Sequence, residues 1–411
     1  DLKATTAKGF WNVGRIILVR MHVAVFILQK IYDKKDREIA KDLQENAAYR
    51  VFAGDGVVQK WHAPHFSKIE EFRNRLSPET QRQIGNSIAK QAVALGFADP
   101  RKVDIDSTVQ EANITYPSDA RLMVQLVERC MKVISWLRDE GKGLIPDDFG
   151  IDIRKVKSKA RAYFFAAKNT AKEIKREIFA ALHRAVKQEV YAAQEVLSSL
   201  SPEELAKLPW NIRRSFEQIS IHGKRYLLDV AHYIRTNCIK YGKRLSFHAS
   251  EVACIVKNKA GKPHEFGRVF QIGRIAGNFV WTCHHTSLRM DDKSALAPIL
   301  KEHQRLFGNV EIEDLATDKG YFSQANEDSA EAVLSNSGNL HLGYQYEDTP
   351  DDIDTRLKDH RAGLEAVIGH IKHGGQLRKS RMKSDKATLA AGYAAMLGFN
   401  LRQLMRCQAR V

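Results

Sequence analysis

Residues 102–109 read Lys-Val-Asp-Ile-Asp-Ser-Thr-Val, and the fold that we expect follows from this stretch. Apolar and polar residues alternate through its first half, which is the pattern of a β-strand. Asp104 and Asp106 lie two residues apart, so their carboxylates are on the same face of that strand. Both are therefore candidates for any chemistry that the strand carries.

The residues after this strand predict an α/β domain that is interrupted by helices. Helical periodicity extends over about 119–246, with a break near Pro202 and Pro209. Gly277-Asn278 predicts a hairpin turn. Further strands are expected at 265–272, 279–286, 310–318 and 340–344. Further helices are expected at 294–307, 323–334, 354–373 and 389–405. This order of elements predicts a mixed sheet.

The residues before the strand predict a helical region. Apolar residues recur at helical spacing from Ile16 to Ile31 and through 36–51, and Ser67 with Glu70 predicts a cap for a third helical region. Such a domain suits DNA binding, or packing and dimerisation alone. The domains that we expect are 1–98 (N-terminal helical), 99–118 (first strand of the core), 119–246 (helical insertion) and 247–411 (remainder of the core with a C-terminal helix).

The charge balance indicates a polyanionic partner. Lys and Arg number 65 against 49 Asp and Glu, a formal net charge of +16. Within 154–244 the excess is 20 to 8. DNA, RNA and an anionic membrane surface all fit such a surplus. The apolar segment 9–30 is interrupted by Arg15, Arg20 and His22, so we expect no membrane span. Five cysteines without a C-x-x-C pair fit a reducing cytoplasm.

Three acids occupy positions that suit metal-dependent phosphodiester chemistry. Asp106 lies in the first strand, Asp318 ends a later strand, and Glu365 lies on a helix face with Arg361 and Lys372. Two hard cations about 3.5–4 Å apart can activate a nucleophile and stabilise a leaving oxygen, and magnesium prefers carboxylate ligands. Other interpretations remain open: Asp318 as a turn residue, and Glu365 as one half of a surface ion pair with Arg361.

Several stretches resemble bacterial insertion-sequence transposases of the DDE class. The run from Asp104 to Glu111, continued through Asn113-Ile114 and 116–120, resembles the first catalytic block of that family. Thr317-Asp318-Lys319-Gly320-Tyr321 resembles the second. Arg361-x3-Glu365-x6-Lys372 resembles the third, although Lys358 stands where the family signature has Tyr. The resemblance covers most of the chain except about 124–245.

The resemblance implies a ribonuclease-H-like catalytic core with Asp106, rather than Asp104, as the first of three metal ligands and Asp318 and Glu365 as the others. It further implies two Mg²⁺ or Mn²⁺ ions, cleavage at element ends and transfer of the freed 3′ hydroxyl to target DNA. The implied partners are duplex DNA with terminal inverted repeats, target DNA and a second copy in a homodimer. The implied location is the cytoplasm, in association with the nucleoid.

Basic residues outside the acid triad are candidate DNA contacts. Alongside Arg361 and Lys372, they are Arg378, Lys379, Arg381, Lys383, Lys155, Lys157, Lys159 and Arg161. Two other functions remain open on the sequence alone. One is a DNA-binding relic or regulator without chemistry, and the other is a different nuclease of the same fold, such as a junction resolvase.

Overall fold

The computed structural model describes residues 19–54, 63–114, 117–140, 145–166, 170–240, 242–247, 249, 252–259, 262–284, 290–344, 349–382 and 384–410. The chain divides into two compact units. Unit 1 comprises Asp1–Asn113 and Cys254–Val411, and unit 2 comprises Ile114–Ala253. The segment 119–246 therefore lies within unit 2, whereas the segment 1–98 belongs to the same unit as the sheet.

Unit 1 is built on a six-stranded mixed sheet, which confirms the predicted α/β class. Its strands are β1 (Asp99–Glu111), β2 (Ala253–Lys259), β3 (Lys262–Ala276), β4 (Phe279–Trp281), β5 (Ile312–Thr317) and β6 (Leu334–Leu342). The order across the sheet is β2-β3-β1-β5-β6, and β4 pairs with β3. β1 is antiparallel to β3 and parallel to β5, and β5 is parallel to β6.

The β3–β4 hairpin forms at the predicted Gly-Asn turn. Gly277 and Asn278 have φ values of +92° and +63°, the left-handed conformation that a tight turn of this type needs. Close packing also explains Gly273 in β3, because a Cβ atom there would lie 2.3 Å from the Trp281 ring. The short strand β4 is thereby drawn against the apolar core that covers one face of the sheet.

Ten helices of unit 1 surround the sheet or precede it in the described residues. They are α1 (Val19–Ile31), α2 (Asp36–Glu45), α3 (Ala47–Phe52), α4 (Phe66–Arg75), α5 (Pro78–Ala94), α12 (Asp292–Phe307), a 3₁₀ turn (Lys319–Tyr321), α13 (Gln324–Glu331), α14 (Asp351–His373) and α15 (Asp385–Gln408). The predicted cap at Ser67 is wrong. The ring of His65 accepts from the Ser67 N–H, and Ser77 caps α5 instead.

Buried polar groups tie the N-terminal helices to the sheet. The Asn400 amide of α15 donates to the carbonyls of Gly85 in α5 and Val280 in β4. Arg82 of α5 donates to the Thr282 carbonyl and to Glu302 of α12, at 2.7 Å in both cases. Because these groups are almost completely buried, each would cost free energy if its counterpart were lost. Helix α5 is therefore anchored to the core.

Unit 2 is a helical bundle with its own apolar core. Its helices are α6 (Asp119–Asp139), α7 (Ile153–Phe165), α8 (Lys172–Ser198), α9 (Pro202–Lys207), α10 (Trp210–Gln218), a π-helical turn (Ile219–Gly223) and α11 (Lys224–Thr236). Leu126, Val186 and Val230 are among the side chains buried between them. Gln194 donates to the Ile219 carbonyl at 2.8 Å, which supplies a partner at the irregular turn.

In the part of the chain that the structure describes, no helix is long and apolar enough to span a bilayer.

Candidate active site at the ends of β1 and β5

The strand register brings Asp106 and Asp318 next to each other. Ile105 of β1 lies opposite Thr317, the last residue of β5. Asp106 follows Ile105 within β1, and Asp318 directly follows the end of β5 as the first residue of the next turn. Side chains alternate between the faces of a strand, so the Asp106 carboxylate lies on the face opposite Ile105. The Asp318 charge acts on that carboxylate. The two acids that the sequence pointed to therefore meet where β5 stops and β1 continues.

The Asp106 carboxylate occupies a partly buried position with little hydrogen bonding. Its Oδ1 accepts from the N–H of Ser107 at 2.6 Å. The pKa of Asp106 is raised to about 6: burial is the largest cause, the negative charges of Asp318 and Asp292 act in the same direction, and the Ser107 N–H and the Arg361 charge oppose them. A carboxylate held among other carboxylates in this way gains from a nearby cation. The environment suits a metal ligand.

Asp104 has a different, structural role. Both of its oxygens are engaged: Arg274 donates to Oδ2 at 2.6 and 2.9 Å, and the His360 ring lies 2.8 Å from Oδ1. The Asp104 side chain is completely buried. A buried ion pair of this kind leaves no oxygen for a ligand. Of Asp104 and Asp106, only Asp106 remains available as a ligand.

Helix α14 covers the same face and brings Arg361 towards Asp106. The helix packs against β1, β5 and β6, and the Arg361 charge acts on the Asp106 carboxylate. Glu365, one turn further along, is exposed and forms no hydrogen bond or ion pair with any described residue. The surface pair between Arg361 and Glu365 considered above is therefore not formed. The described residues also hold no group of three His, Cys, Asp or Glu side chains placed to bind a metal ion.

The start of α14 is fixed to the sheet by a buried carboxylate. Asp354 accepts from Lys358 at 2.5 Å and lies 2.8 Å from the ring of His341 in β6. These contacts lower the pKa of Asp354 although its burial acts in the opposite direction. Lys358 is the residue at the Tyr position of the third block. In this chain the position serves to hold the helix, one turn before Arg361.

The predicted basic contacts after α14 lie near the far end of β1. Lys372 is half-buried in the last turn of α14, whereas Arg378, Lys379 and Arg381 are exposed. Glu111, the last residue of β1, bonds through its backbone to Arg378 and Ser380, at 3.1 and 2.8 Å. This attaches the basic segment to the strand that carries Asp106. Lys383 lies outside the described residues.

Tyr321, Gln271 and Asp292 form a hydrogen-bonded group close to the carboxylates that the sequence did not predict. Tyr321 donates to the side-chain oxygen of Gln271, whose Nε2 donates to Asp292 Oδ1 at 3.1 Å. Burial and the charges of Asp292 and Asp106 raise the pKa of Tyr321 well above its ordinary value, so the hydroxyl keeps its proton. The one sequence signal was Gln271 itself, an amide inside the apolar run Val269–Ile272.

The remaining predicted DNA contacts belong to unit 2. Lys155, Lys157, Lys159 and Arg161 are exposed along α7, whose buried side is formed by Val156 and Ala160. Lys157 pairs with Glu128 at 2.9 Å, and Lys155 donates to Gln188 at 3.2 Å. Part of the positive charge of this helix is therefore balanced by the bundle itself.

Comparisons with known proteins assign neither a family nor a function. No protein-family model matches the chain, and no solved structure matches it. An uncharacterized protein, ORF8 in the nfe locus of Rhizobium meliloti, is 26% identical over 129 residues. The match covers 30% of this chain and 62% of that protein. The chemistry of the site is accordingly the basis for any functional conclusion.

Proposed function

We propose that the protein is a metal-dependent DNA-cutting and DNA-joining enzyme, a DDE transposase with a ribonuclease-H-like core. The observation that carries the proposal is the meeting of Asp106 and Asp318 where β5 leaves β1, beneath a helix that contributes Arg361. The sheet order, with β1 central between an antiparallel and a parallel neighbour, is the arrangement that such a core requires. The sequence blocks around the three acids support the same assignment.

The donor set fits a hard divalent cation in part. One oxygen of Asp106 has no hydrogen bond to any described residue, and Asp318 is exposed. Both are carboxylates of the kind that Mg²⁺ and Mn²⁺ prefer. Burial, and secondarily repulsion by Asp318 and Asp292, raises the pKa of Asp106, and a bound cation would favour the charged carboxylate against both effects. Glu365 is exposed and has no hydrogen-bond or ion-pair partner among the described residues, and in the proposal it completes the set when DNA is bound.

Each element of the site has a part in phosphodiester chemistry. Divalent ions bound there would activate the attacking water or 3′ hydroxyl and stabilise the leaving oxygen. Arg361, which has no ion pair with Glu365, offers its planar guanidinium to a phosphate beside the carboxylates. Arg378, Lys379 and Arg381 extend the positive surface along the strand that carries Asp106. The basic face of α7 supplies phosphate contacts from unit 2, and the proposal includes a homodimer on paired ends.

The test is cleavage and joining of the DNA that flanks the gene. Duplexes of each flank are incubated with the full chain and Mg²⁺ or Mn²⁺, with a supercoiled plasmid as target. We expect a cut that leaves a 3′ hydroxyl at an inverted repeat, followed by covalent joining to the plasmid. Asp106→Asn, Asp318→Asn and Glu365→Gln should abolish cleavage and leave DNA binding intact.

A matched control lies on the same helix as Glu365. Asp359 is exposed and six residues before Glu365, which places it about 120° away around the helix. Asp359→Asn removes the same type of charge and should leave cleavage unchanged. Binding without cleavage in either metal would indicate a regulator or relic. Cleavage of branched DNA without joining would indicate a resolvase.

A further inference from the structure

The turn that carries Asp318 is attached to the strand beside Asp106 by a buried side-chain network on the opposite face of the sheet. Gln271 of β3 lies directly opposite Ser107, the residue that follows Asp106. Tyr321, three residues after Asp318, donates its hydroxyl proton to Gln271 Oε1. Both side chains are completely inaccessible to solvent. One amide thus joins the Asp318 turn to β3, the strand that pairs with β1 beside Asp106.

The amide nitrogen of the Gln271 side chain fixes the start of α12. Gln271 Nε2 donates to Asp292 Oδ1 at 3.1 Å and to the Met290 carbonyl at 3.3 Å. The other oxygen of Asp292 lies 2.8 Å from the place that a Cβ atom of Gly320 would occupy. The turn after Asp318 can therefore approach α12 closely only with glycine at this position. Asp292 and Tyr321 hold it from two sides.

We propose that Gln271 is a positioning residue that sets the separation of the Asp106 and Asp318 carboxylates by holding Tyr321 and Asp292 together. The importance of the carboxylate spacing rests on the proposed function. The role of Gln271 in holding the Asp318 turn in place does not depend on that function. A metal pair tolerates little error in the spacing of its ligands, and groups behind the ligands commonly change affinity by about 10–100-fold when they are lost.

Three variants and one control separate positioning from stability. Tyr321→Phe removes the donor, Gln271→Met removes the amide, and the double variant removes both. Each single variant leaves a buried polar group without its partner and lowers the melting temperature, whereas the double variant regains part of that loss. Tyr393→Phe is the control, because the Tyr393 hydroxyl is buried in the same unit and has no hydrogen-bond partner among the described residues.

The first measurement needs no metal. Amide hydrogen exchange of the full chain in EDTA is followed in peptides that cover 318–322. We expect about tenfold faster exchange there in both single variants and in the double variant, corresponding to the loss of about one buried hydrogen bond, and no change in Tyr393→Phe. Unchanged exchange in Tyr321→Phe would overturn the inference, and the stacking of Lys319 on Tyr344 would then be what holds the turn.

The second measurement is the affinity for Mn²⁺, read from the electron paramagnetic resonance of the free ion. We expect affinity to fall at least tenfold in all three variants, including the double variant whose stability is partly restored. Recovery of wild-type affinity in the double variant would overturn the inference. Wild-type protein that binds Mn²⁺ no better than Asp106→Asn would instead refute the metal-dependent function, and the exchange data alone would then decide the role of Gln271.

Discussion

Asp106→Asn should stabilise the metal-free protein at neutral pH. Folding raises the pKa of Asp106 from 3.8 to about 6. Since one pKa unit corresponds to about 1.36 kcal/mol, the charged carboxylate lowers the free energy of unfolding by about 3 kcal/mol at neutral pH. Asp106 retains some solvent contact, so we expect about 2 kcal/mol of this penalty to be relieved. The asparagine Oδ1 can still accept from the Ser107 N–H, which keeps the local geometry.

The pH dependence of this gain has a definite sign. The folded-state pKa is raised, so the penalty is absent below about pH 4, grows between about pH 4 and 6, and is complete above that window. The assay is thermal unfolding of wild type and variant in EDTA at several pH values. A gain of about 2 kcal/mol corresponds to about 4 °C for a unit of this size. Saturating Mg²⁺ should reduce the difference, because only the wild type gains from the ion.

Asp104→Asn is the matched comparison, two residues away on the same strand face. Its amide cannot neutralise the buried Arg274 guanidinium, so we expect a loss of about 3–5 kcal/mol. Opposite signs for the two substitutions are the central expectation. The reasoning is refuted by a lower melting temperature for Asp106→Asn at neutral pH, or by an equal gain at pH 4.

Three other outcomes are expected. One is the triple variant in which glutamine replaces Lys155, Lys159 and Arg161 on α7. The slope of the logarithm of its DNA-binding constant against the logarithm of salt concentration should become shallower by up to about 3, as measured by titration at several salt concentrations. Gly343→Ala should lower both the melting temperature and the cleavage rate, because φ is +73° and a Cβ atom would lie 2.3 Å from the Lys319 backbone. Its control is Gly369→Ala in α14, where the space for a Cβ atom is open and the change should be neutral or stabilising. Burial lowers the pKa of His303 to about 4, so the wild type should lose stability relative to His303→Gln as pH falls from about 6.5 to 4 in thermal unfolding.

Local signals predicted the elements that depend on a few neighbouring residues. The alternation in β1, the Gly-Asn hairpin and the end of α12 at residue 307 were all confirmed. The strand predicted at 340–344 proved to be β6 at 334–342, an edge strand whose polar residues hide the alternation. The helix predicted over 36–51 is divided at Asn46, whose side chain caps the second part.

The arrangement of the site depends on contacts between distant residues, and periodicity carries no information about those. Resemblance favoured Asp106 over Asp104, but the physical reason is Arg274, which lies in another strand and occupies Asp104. Asp292 is held by a hydrogen bond from Gln271, and Asp318 is placed near β1 by the register between β1 and β5. A carboxylate in a sequence does not reveal whether its counterpart is an arginine of the same protein or an external cation.

The division of unit 1 into two separated parts of the chain has a kinetic consequence. β1 acquires both of its neighbours, β3 and β5, only after the whole of Ile114–Ala253 has been synthesised. During that interval a long strand with apolar residues such as Val103 and Ile105 has two unpaired edges, a known route to aggregation. Unit 2 is continuous and can complete its bundle first. We expect refolding from denaturant to be biphasic, with fast recovery of the helical unit and slow, concentration-sensitive recovery of the sheet.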